Sequence, residues 1–253
     1  MSGFIAPHVV EICLKEGWEV IGVDKQKCTD QGGVFDFLED PKFTFLHKDV
    51  RDINASDLKG VDYIFHMAFV TNIPFSTTSP IATTDENLGM MSRILSVATE
   101  AGVKKVLYPS TASLYGFNPT PWKEDMPADP MEPYSFQKAS CESMLRMWHH
   151  LHGLKTATLR LYQVFGENQR PDTALAAFFR SRTTGKPITL TRTTAQSSFD
   201  SAQRDFIYNK DVARAFIAAA LSDKVGAGEI INIASGNVYT IREVAEKIGR
   251  AHV

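Results

Sequence analysis

The sequence predicts an α/β fold built on a doubly wound, mostly parallel sheet. Two observations support this prediction. Short apolar segments with strand character alternate with longer segments in which apolar residues recur at helical spacing. The chain of 253 residues also has room for one large α/β domain, or for one domain with a small additional lobe. Because helices separate successive strands, the strands are expected to form βαβ units and to run parallel.

The first two thirds of the chain contain a regular alternation of predicted elements. A helix over residues 7–16 begins with Pro7, which a first helical turn accepts, and ends before Gly17. A second helix over 85–101 has apolar residues on one face and stops at Gly102. A third helix is predicted over 136–151. The strands between these helices are predicted over residues 19–23, 43–46, 62–66, 103–108 and 156–161.

The last third has a less regular order and predicts a smaller lobe. Helices are expected over residues 173–184 and 209–221, and short strands over 188–190 and 229–234. Thr240 and Glu243 have the spacing of a capping box, which predicts the start of a final helix. We therefore assign residues 1–165 to the main domain and residues 166–253 to the smaller lobe. The two interleave, because residues 205–225 are expected to return to the main domain.

The composition argues against several classes of function. A hydrophobic content of 43% is ordinary for a globular protein, and a net charge of −2 gives no reason to expect nucleic acid or an anionic membrane as a partner. No apolar run approaches the roughly 20 residues that span a bilayer. The three cysteines, Cys13, Cys28 and Cys141, have no paired or metal-like spacing. We therefore expect reduced thiols, no metal site and a cytoplasmic protein.

A candidate proton-transfer site lies between Val106 and Lys138. An apolar strand is followed by a Ser/Thr cluster that includes Thr111, and the segment then delivers Tyr134 and Lys138. If Tyr134 begins a helix, Lys138 lies one turn further along the same face. A phenol beside an ammonium, with a hydroxyl nearby, is suited to proton transfer. The pair could equally be two residues on an ordinary helix surface, and only further motifs can decide.

Further motifs follow one another in a characteristic order. They are SGFIA (2–6), HMA (66–68), Ser110-Thr111 through Tyr115-Gly116, Tyr134-x-x-x-Lys138, RLYQVFG (160–166), QRPD (169–172) and RDFIY (204–208). In these motifs and their order the chain resembles the extended short-chain dehydrogenases/reductases, the group of sugar-nucleotide epimerases and dehydratases. The resemblance implies a Rossmann-like fold with a smaller, interleaved substrate lobe. It also implies NAD as the cofactor and a nucleotide-sugar as the substrate.

The resemblance implies a set of cofactor-binding residues. Gly3 matches the second glycine of the family's phosphate loop, and Phe4 and Ile5 continue this loop toward the first helix. Asp24 stands where the family's acidic residue takes the adenosine ribose, which favours NAD over NADP. The other implied cofactor-binding positions are Asp49, Val50, Ala68, Asn87, Tyr134 and Lys138.

The resemblance also implies the chemistry, with Thr111, Tyr134 and Lys138 as the catalytic residues. Tyr134 would act as the base. Lys138 and the positive nicotinamide ring are expected to lower the pKa of its phenol from ~10 by about three units. Thr111 would position the reacting oxygen. Gln163, Arg170 and Arg204 are the implied substrate-binding residues, with the guanidinium of Arg204 on the nucleotide diphosphate.

Departures from the family pattern narrow the expected reaction. Dehydratases of the family carry Asp-Glu after the catalytic threonine, where this chain has Ala112 and Ser113. We therefore expect epimerisation at C4 of a UDP-sugar or UDP-uronate through a transient keto intermediate. A dehydrogenase or reductase that uses NAD or NADP remains an alternative, as does an inactive fragment. The other departures are Phe69 in place of a small residue, Gln163 in place of asparagine, and a longer loop over Thr191–Gln203.

Both ends are expected to be incomplete relative to the family. The family's first strand and first glycine precede the position of Gly3, and the lobe stops short at the other end. For residues 248–253, a frayed end after a helix that stops at Gly249 and a non-native tail both remain open. By resemblance, the chain is expected to form a homodimer through the helices at 85–101 and 136–151.

Overall fold

The structure is a computed structural model that describes residues 3–27, 35–188, 190 and 203–249. Three predictions concern residues outside these ranges. They are the reduced state of Cys28, the long loop up to residue 202, and the nature of residues 250–253.

The described residues form helices and strands in the alternating order that the sequence predicts. The helices are α1 (Ala6–Lys15), α2 (Ile73–Thr78), α3 (Pro80–Ala101), α4 (Pro133–His152), α5 (Ala174–Thr183), α6 (Asn209–Leu221) and α7 (Ile241–Ile248). The strands are β1 (Val20–Asp24), β2 (Phe43–His47), β3 (Tyr63–Phe65), β4 (Lys105–Thr111), β5 (Lys155–Leu161), β6 (Gln163–Phe165), β7 (Gln203–Tyr208), β8 (Ala227–Ile233) and β9 (Val238–Thr240).

Two parallel sheets form the larger part of the molecule, which confirms the predicted fold class. β1 pairs with β2. The second sheet has the order β3-β4-β5-β8, and β4 lies beside β5 from Lys105 opposite Lys155 to Thr111 opposite Leu161. Because all these strands run the same way, their carboxyl ends meet at one edge, where open α/β sheets place their ligands.

Helices cover both faces of these sheets. α3 and α4 pack on one face against Val106 and Tyr108 of β4, and α1 and α6 pack on the other face against Leu107. Successive side chains of a strand point to opposite faces, so a strand between two helical layers is apolar throughout. The three residues are accordingly 0% exposed. The fold is therefore doubly wound, as predicted.

A cavity of about 660 Å³ separates β1 from β3. Apolar residues of β1, β3 and α1, including Val9 and Cys13, line this cavity. Among the described strands, β1 pairs only with β2 and β3 only with β4, so each presents one unpaired edge. No strand of the described residues lies between these two edges.

A three-stranded sheet builds the smaller lobe. β6 pairs with β7 in parallel and β7 pairs with β9 antiparallel. α5 and α7 pack beside this sheet around Leu175, Phe178 and Val244. The chain returns to the larger sheets through α6, which packs with α1, and through β8, which pairs with β5. β6, which starts at Gln163, belongs to the sheet of the smaller lobe although the predicted boundary at 165 puts it in the main domain, and the return to the larger sheets includes β8, beyond residue 225.

Three details differ from the predicted boundaries. α3 begins at Pro80 and α4 at Pro133, earlier than predicted, because proline at the first helical position needs no hydrogen bond for its nitrogen. The predicted strand at 188–190 is wrong for its described residues, since neither Ile188 nor Leu190 is in a strand. The capping box at Thr240 is confirmed, with mutual hydrogen bonds between Thr240 and Glu243.

Candidate active site

A cleft of about 510 Å³ lies at the carboxyl ends of β1, β3, β4 and β5. Its volume falls within the range of about 300–1,000 Å³ that ligand sites occupy. The cleft brings together most of the residues that the sequence singled out. Those that line it are Gly3, Phe4, Ile5, Asp24, Asp49, Val50, Ala68, Thr111, Tyr134, Lys138, Gln163 and Arg170.

The N-terminus of α4 carries two of the predicted catalytic side chains into this cleft. Glu132 caps the helix, and its carboxylate accepts hydrogen bonds from the backbone nitrogens of Tyr134 at 2.7 Å and Ser135 at 3.0 Å. Pro133 fixes the first turn. Lys138 follows Tyr134 by one turn, so the two side chains lie on the same helix face. The predicted juxtaposition of phenol and ammonium is therefore present.

Lys138 is buried, with 3% of its surface exposed. Its ammonium donates a hydrogen bond of 2.6 Å to the carbonyl oxygen of Pro109. It also lies 3.8 Å from the ring centre of Phe69 and 4.5 Å from that of Tyr108. Burial lowers the pKa of Lys138 to about 7, although Cys141 and Glu142 act in the opposite direction. An amine with this pKa changes its charge near neutral pH, as proton-transfer sites require.

Tyr134 does not have the lowered pKa that the sequence led us to expect. Burial raises the pKa of its phenol to about 12, and a hydrogen bond with Thr111 acts in the opposite direction. The ammonium of Lys138 lies 5.9 Å from the centre of the Tyr134 ring. The expectation that Lys138 activates the phenol is therefore not met by the chain alone, because the loss of water around the phenol outweighs the hydrogen bond with Thr111 and the charge of Arg170.

Thr111 ends β4 and turns its hydroxyl toward this phenol. The hydroxyl accepts a hydrogen bond of 3.1 Å from the backbone nitrogen of Ser113 and lies 2.9 Å from the Ser113 hydroxyl. Ala112 is buried and Ser113 exposed. Neither of these side chains supplies a carboxyl group, so the turn after Thr111 contains no acid that could protonate a leaving group.

The N-terminus of α1 is suited to a phosphate group. Gly3 leaves open space where a side chain would begin, since an added Cβ has no neighbour within 4 Å. The N-cap residue Ile5 provides no side-chain hydrogen bond, so the first amides of α1 have no side-chain cap. Uncapped amides at a helix N-terminus attract anions. With Gly3, Phe4 and Ile5 on the cleft wall, these residues fit the pyrophosphate of a dinucleotide.

The acidic residues on the nucleotide side of the cleft are held in place by neighbouring groups. Asp24 ends β1, and its carboxylate accepts a hydrogen bond of 2.9 Å from the backbone nitrogen of Gln26. Asp49 is held by the guanidinium of Arg51 through bonds of 3.0 and 2.8 Å. These contacts with Arg51 lower the pKa of Asp49 to about 2. Both carboxylates line the cleft.

Asn87 lies behind the cleft wall and is 0% exposed. Its amide oxygen accepts a hydrogen bond of 2.8 Å from the backbone nitrogen of Val70, and its amide nitrogen donates to Gln137 at 2.8 Å. Gln137 in turn donates to Thr83 and Thr84 on α3. In the structure Asn87 thus fixes the segment after β3, and it is not among the residues that line the cleft.

Two of the three predicted substrate residues line the cleft and one does not. Gln163 and Arg170 face it from the smaller lobe. Arg204 lies on β7 outside the cleft lining, and its guanidinium donates to the carbonyl oxygen of Gln203 at 2.6 Å. The sequence motifs could not show which of the three residues line the cleft, because the relative placement of the strands that carry them depends on tertiary packing.

Sequence reasoning missed other residues at the cleft. Lys25 and Glu86 both line it and form an ion pair of 2.5 Å between the end of β1 and α3. Tyr162, beside Gln163, also lines it. The signal for Lys25 was its position directly after Asp24. Glu86 had no comparable signal, because its partner is distant in sequence.

Two classes of site are not found in the described part of the chain. No cluster of three or more His, Cys, Asp or Glu residues there could hold a metal ion. No helix there is both long and apolar enough to cross a membrane.

The comparison with protein families agrees with this geometry. The model of the NAD-dependent epimerase/dehydratase family matches residues 1–234. The chain belongs to this family. Membership confirms the predicted enzyme class and the predicted cofactor, NAD, on which the family depends.

Members of the family with known activities are similar over almost the whole chain. A UDP-glucuronate 4-epimerase of Thermodesulfobacterium geofontis is 29% identical over an alignment of 261 positions, which covers 99% of this chain and 78% of that protein. A solved UDP-N-acetylglucosamine 4-epimerase from Methanobrevibacter ruminantium has a TM-score of 0.87 at 29% identity, over 96% of this chain and 77% of that one. A solved dTDP-glucose 4,6-dehydratase from Streptomyces venezuelae has a TM-score of 0.83 at 27% identity, over 98% of this chain and 77% of that one. These relatives support sugar-nucleotide chemistry.

Proposed function

We propose that the chain catalyses the NAD-dependent epimerisation of a nucleotide-activated sugar at C4, with a UDP-sugar or UDP-uronate as substrate. The reaction passes through a transient 4-keto sugar. The observation that carries this proposal is the presence of Thr111, Tyr134 and Lys138 in one cleft with the uncapped N-terminus of α1. The relatives include 4-epimerases of UDP-glucuronate and UDP-N-acetylglucosamine, which supports C4 as the reacting carbon.

Tyr134 is the proposed proton acceptor and donor. Its phenolate takes the proton of the C4 hydroxyl while the C4–H bond breaks, and its phenol later returns a proton to the C4 oxygen. Thr111 holds that oxygen in reach of the phenol by a hydrogen bond. Bound NAD would supply the acceptor for the C4 hydride and the donor that returns it to the opposite face of the turned keto sugar. The reaction therefore has no net redox change.

Lys138 has two proposed roles in this reaction. Its ammonium binds the nicotinamide ribose, and it stabilises the Tyr134 phenolate by opposite charge. Because burial keeps the phenol pKa near 12 in the chain alone, ionisation requires additional positive charge at the site. The bound cofactor supplies this charge, so we expect the proton transfer to begin only in the ternary complex.

Gln163 and Arg170 are the proposed contacts for the nucleotide-sugar, since both line the cleft from the smaller lobe. Arg204 is proposed to bind the diphosphate after its guanidinium leaves the Gln203 carbonyl. Residues 166–253 supply most of this substrate side. We also propose that the active form is a homodimer that associates through α3 and α4.

The alternative hypothesis, that the chain is a dehydratase, is supported by its fold but not by the residues in the cleft. The Streptomyces venezuelae dehydratase shares the architecture. A dehydratase must protonate the leaving oxygen and remove a proton from the sugar, which requires acid and base groups beside the keto carbon. Ala112 and Ser113, directly after Thr111, provide no carboxyl group. The reaction without loss of water therefore fits the residues better.

The test is to incubate the chain with NAD and each of UDP-glucose, UDP-glucuronate and UDP-N-acetylglucosamine, and to follow the sugar by proton NMR and mass spectrometry. The proposal expects a product of unchanged mass that is inverted at C4, with no accumulation of NADH. Steady NADH production would indicate a dehydrogenase instead. A product lighter by one water would indicate a dehydratase. Either result would contradict the proposed function.

A further inference from the structure

The ammonium of Lys138 is covered by an aromatic ring on its cleft side. The ring centre of Phe69 lies 3.8 Å from the lysine nitrogen, which is within cation–π distance. Phe69 also packs edge-to-face against Tyr134, with ring centres 5.9 Å apart. One phenylalanine thus contacts both side chains that the proposed reaction needs free for cofactor and sugar.

Phe69 and Tyr108 both contact the Lys138 ammonium, but only Phe69 lines the cleft. Tyr108 lies 4.5 Å from the ammonium but is 0% exposed and belongs to the core beneath the site. Phe69 is half-buried and lines the cleft together with Lys138. A ligand that enters the cleft to reach the ammonium therefore meets Phe69 and not Tyr108.

The backbone next to Phe69 is held by hydrogen bonds to a buried amide. The neighbouring residue Val70 is bonded through its backbone nitrogen to Asn87 at 2.8 Å, and Asn87 is itself held by Gln137. A buried amide with these partners keeps the segment after β3 in place. The ring of Phe69 can leave Lys138 by a change of side-chain rotamer, without movement of the strand.

We propose that Phe69 is a gate on the cofactor site: its ring covers the Lys138 ammonium in the free chain and turns away when the nicotinamide ribose binds there. This proposal rests on the proposed function, because it takes the ribose hydroxyls as the ligand of Lys138. Cofactor binding must replace the ring contact, so Phe69 weakens the affinity for NAD. Phe69 is a positioning residue for Lys138 and takes no part in proton transfer.

The gate also keeps water away from the ammonium. Burial is the main reason that the pKa of Lys138 lies at about 7, well below its usual 10.5. Removal of the ring would take away a cation–π contact that favours the charged amine, but it would also admit water. Because burial is the main cause of the lowered pKa, we expect the pKa to move upward. The titratable or charged groups around the ammonium are His66 after β3, Tyr108 on β4, Tyr134, Cys141 and Glu142 on α4, and Arg160 on β5, which is paired with Glu142.

The first test measures how the Phe69 ring affects the reactivity of the Lys138 amine in the absence of cofactor. Trace acetylation with acetic anhydride over a range of pH, read by peptide mass spectrometry, gives the midpoint at which Lys138 becomes reactive. We expect a midpoint near pH 7 in the wild type and an increase of more than one pH unit in Phe69→Ala. Phe117→Ala, which removes a ring that is 81% exposed, is the matched control and leaves the midpoint unchanged. An unchanged midpoint in Phe69→Ala would overturn the proposal.

The second test measures NAD affinity by isothermal titration calorimetry. In Phe69→Ala, NAD does not have to displace the ring from the ammonium. We therefore expect this variant to bind NAD roughly 3- to 30-fold more tightly than the wild type or Phe117→Ala. Phe69→Leu keeps apolar volume without an aromatic face, and we expect tighter binding from it as well. Weaker NAD binding by both Phe69 variants would mean that the ring helps to bind the cofactor. This result would overturn the proposed gate but not the proposed function. A lack of NAD binding in all of the proteins would overturn the gate and the proposed function together.

Discussion

Replacement of Lys138 by methionine is expected to change how the stability of the chain depends on pH. Methionine has a similar length, so the core around Phe69 and Tyr108 stays filled. The carbonyl oxygen of Pro109 loses its donor, and this loss costs about 1–3 kcal/mol at every pH. The pH-dependent part of the difference belongs to the ammonium alone.

The magnitude follows from the shifted pKa of Lys138. The pKa lies at about 7 in the folded chain against 10.5 for an ordinary lysine. Below pH 7 both the folded and the unfolded chain hold the proton, and the folded chain carries the full cost of a buried charge, about 5 kcal/mol. Between pH 7 and 10.5 the unfolded chain binds more protons, so this cost decreases as the pH rises, by roughly 1.4 kcal/mol per pH unit.

Urea denaturation of the wild type and of Lys138→Met at several pH values between 6 and 9 measures this effect. The wild type is expected to gain about 2 kcal/mol relative to the variant between pH 7 and pH 9. Buried tyrosines and cysteines titrate in both proteins, so their contributions cancel in the difference. A difference in the free energy of unfolding that is flat with pH, or that changes in favour of the variant, would refute the argument that Lys138 is a desolvated cation.

Three further predictions concern the support of the site, its cofactor and its assembly. Arg160 and Glu142 form a buried ion pair with hydrogen bonds of 3.1 and 2.8 Å, so Arg160→Met or Glu142→Leu alone should lower the free energy of unfolding by about 3–5 kcal/mol in urea denaturation. The double variant should lose less than either single variant, because it leaves no unpaired buried charge. A double variant whose loss equals the sum of the two single losses would contradict this prediction. NAD at one hundred times its Kd should raise the free energy of unfolding by about 2.7 kcal/mol, and an unchanged melting temperature at high NAD would count against the cofactor site. On α4, Met147 and Leu151 are 44% and 63% exposed on one face, and charging both as Met147→Glu and Leu151→Glu should shift a dimer to monomer in analytical ultracentrifugation. A variant that remains a dimer would place the interface elsewhere.

The relative position of the two proposed catalytic side chains on α4 could be predicted from the sequence because it depends on local rules. Tyr134 and Lys138 are four residues apart, and Pro133 with Glu132 defines the first turn of α4. One helix turn then fixes their relation without any knowledge of the fold. The capping box at Thr240 was predictable for the same reason.

The electrostatics of the site could not be predicted in this way. The expectation of a lowered pKa for Tyr134 considered the nearby charge of Lys138, but burial dominates the pKa of both groups, and the rings that pack on them include Phe69 after β3 and Tyr108 on β4. The contact of Phe69 with Lys138 joins residues that are far apart in sequence. The position of Arg204 outside the cleft lining likewise follows from the pairing of β7 with β9, which no motif encodes.

The rate of C4 epimerisation by Tyr134→Phe is the most direct test of Tyr134 as the group that moves the proton. This variant keeps the ring against Phe69 and removes only the hydroxyl that would move the proton. Tyr63→Phe, which removes a tyrosine hydroxyl on β3 outside this cleft, is the matched control. We expect the Tyr134 variant to lose on the order of 10²- to 10⁴-fold in kcat while it still binds NAD, and the control to keep the wild-type rate. A Tyr134→Phe variant that epimerises its substrate at the rate of the control would contradict the account.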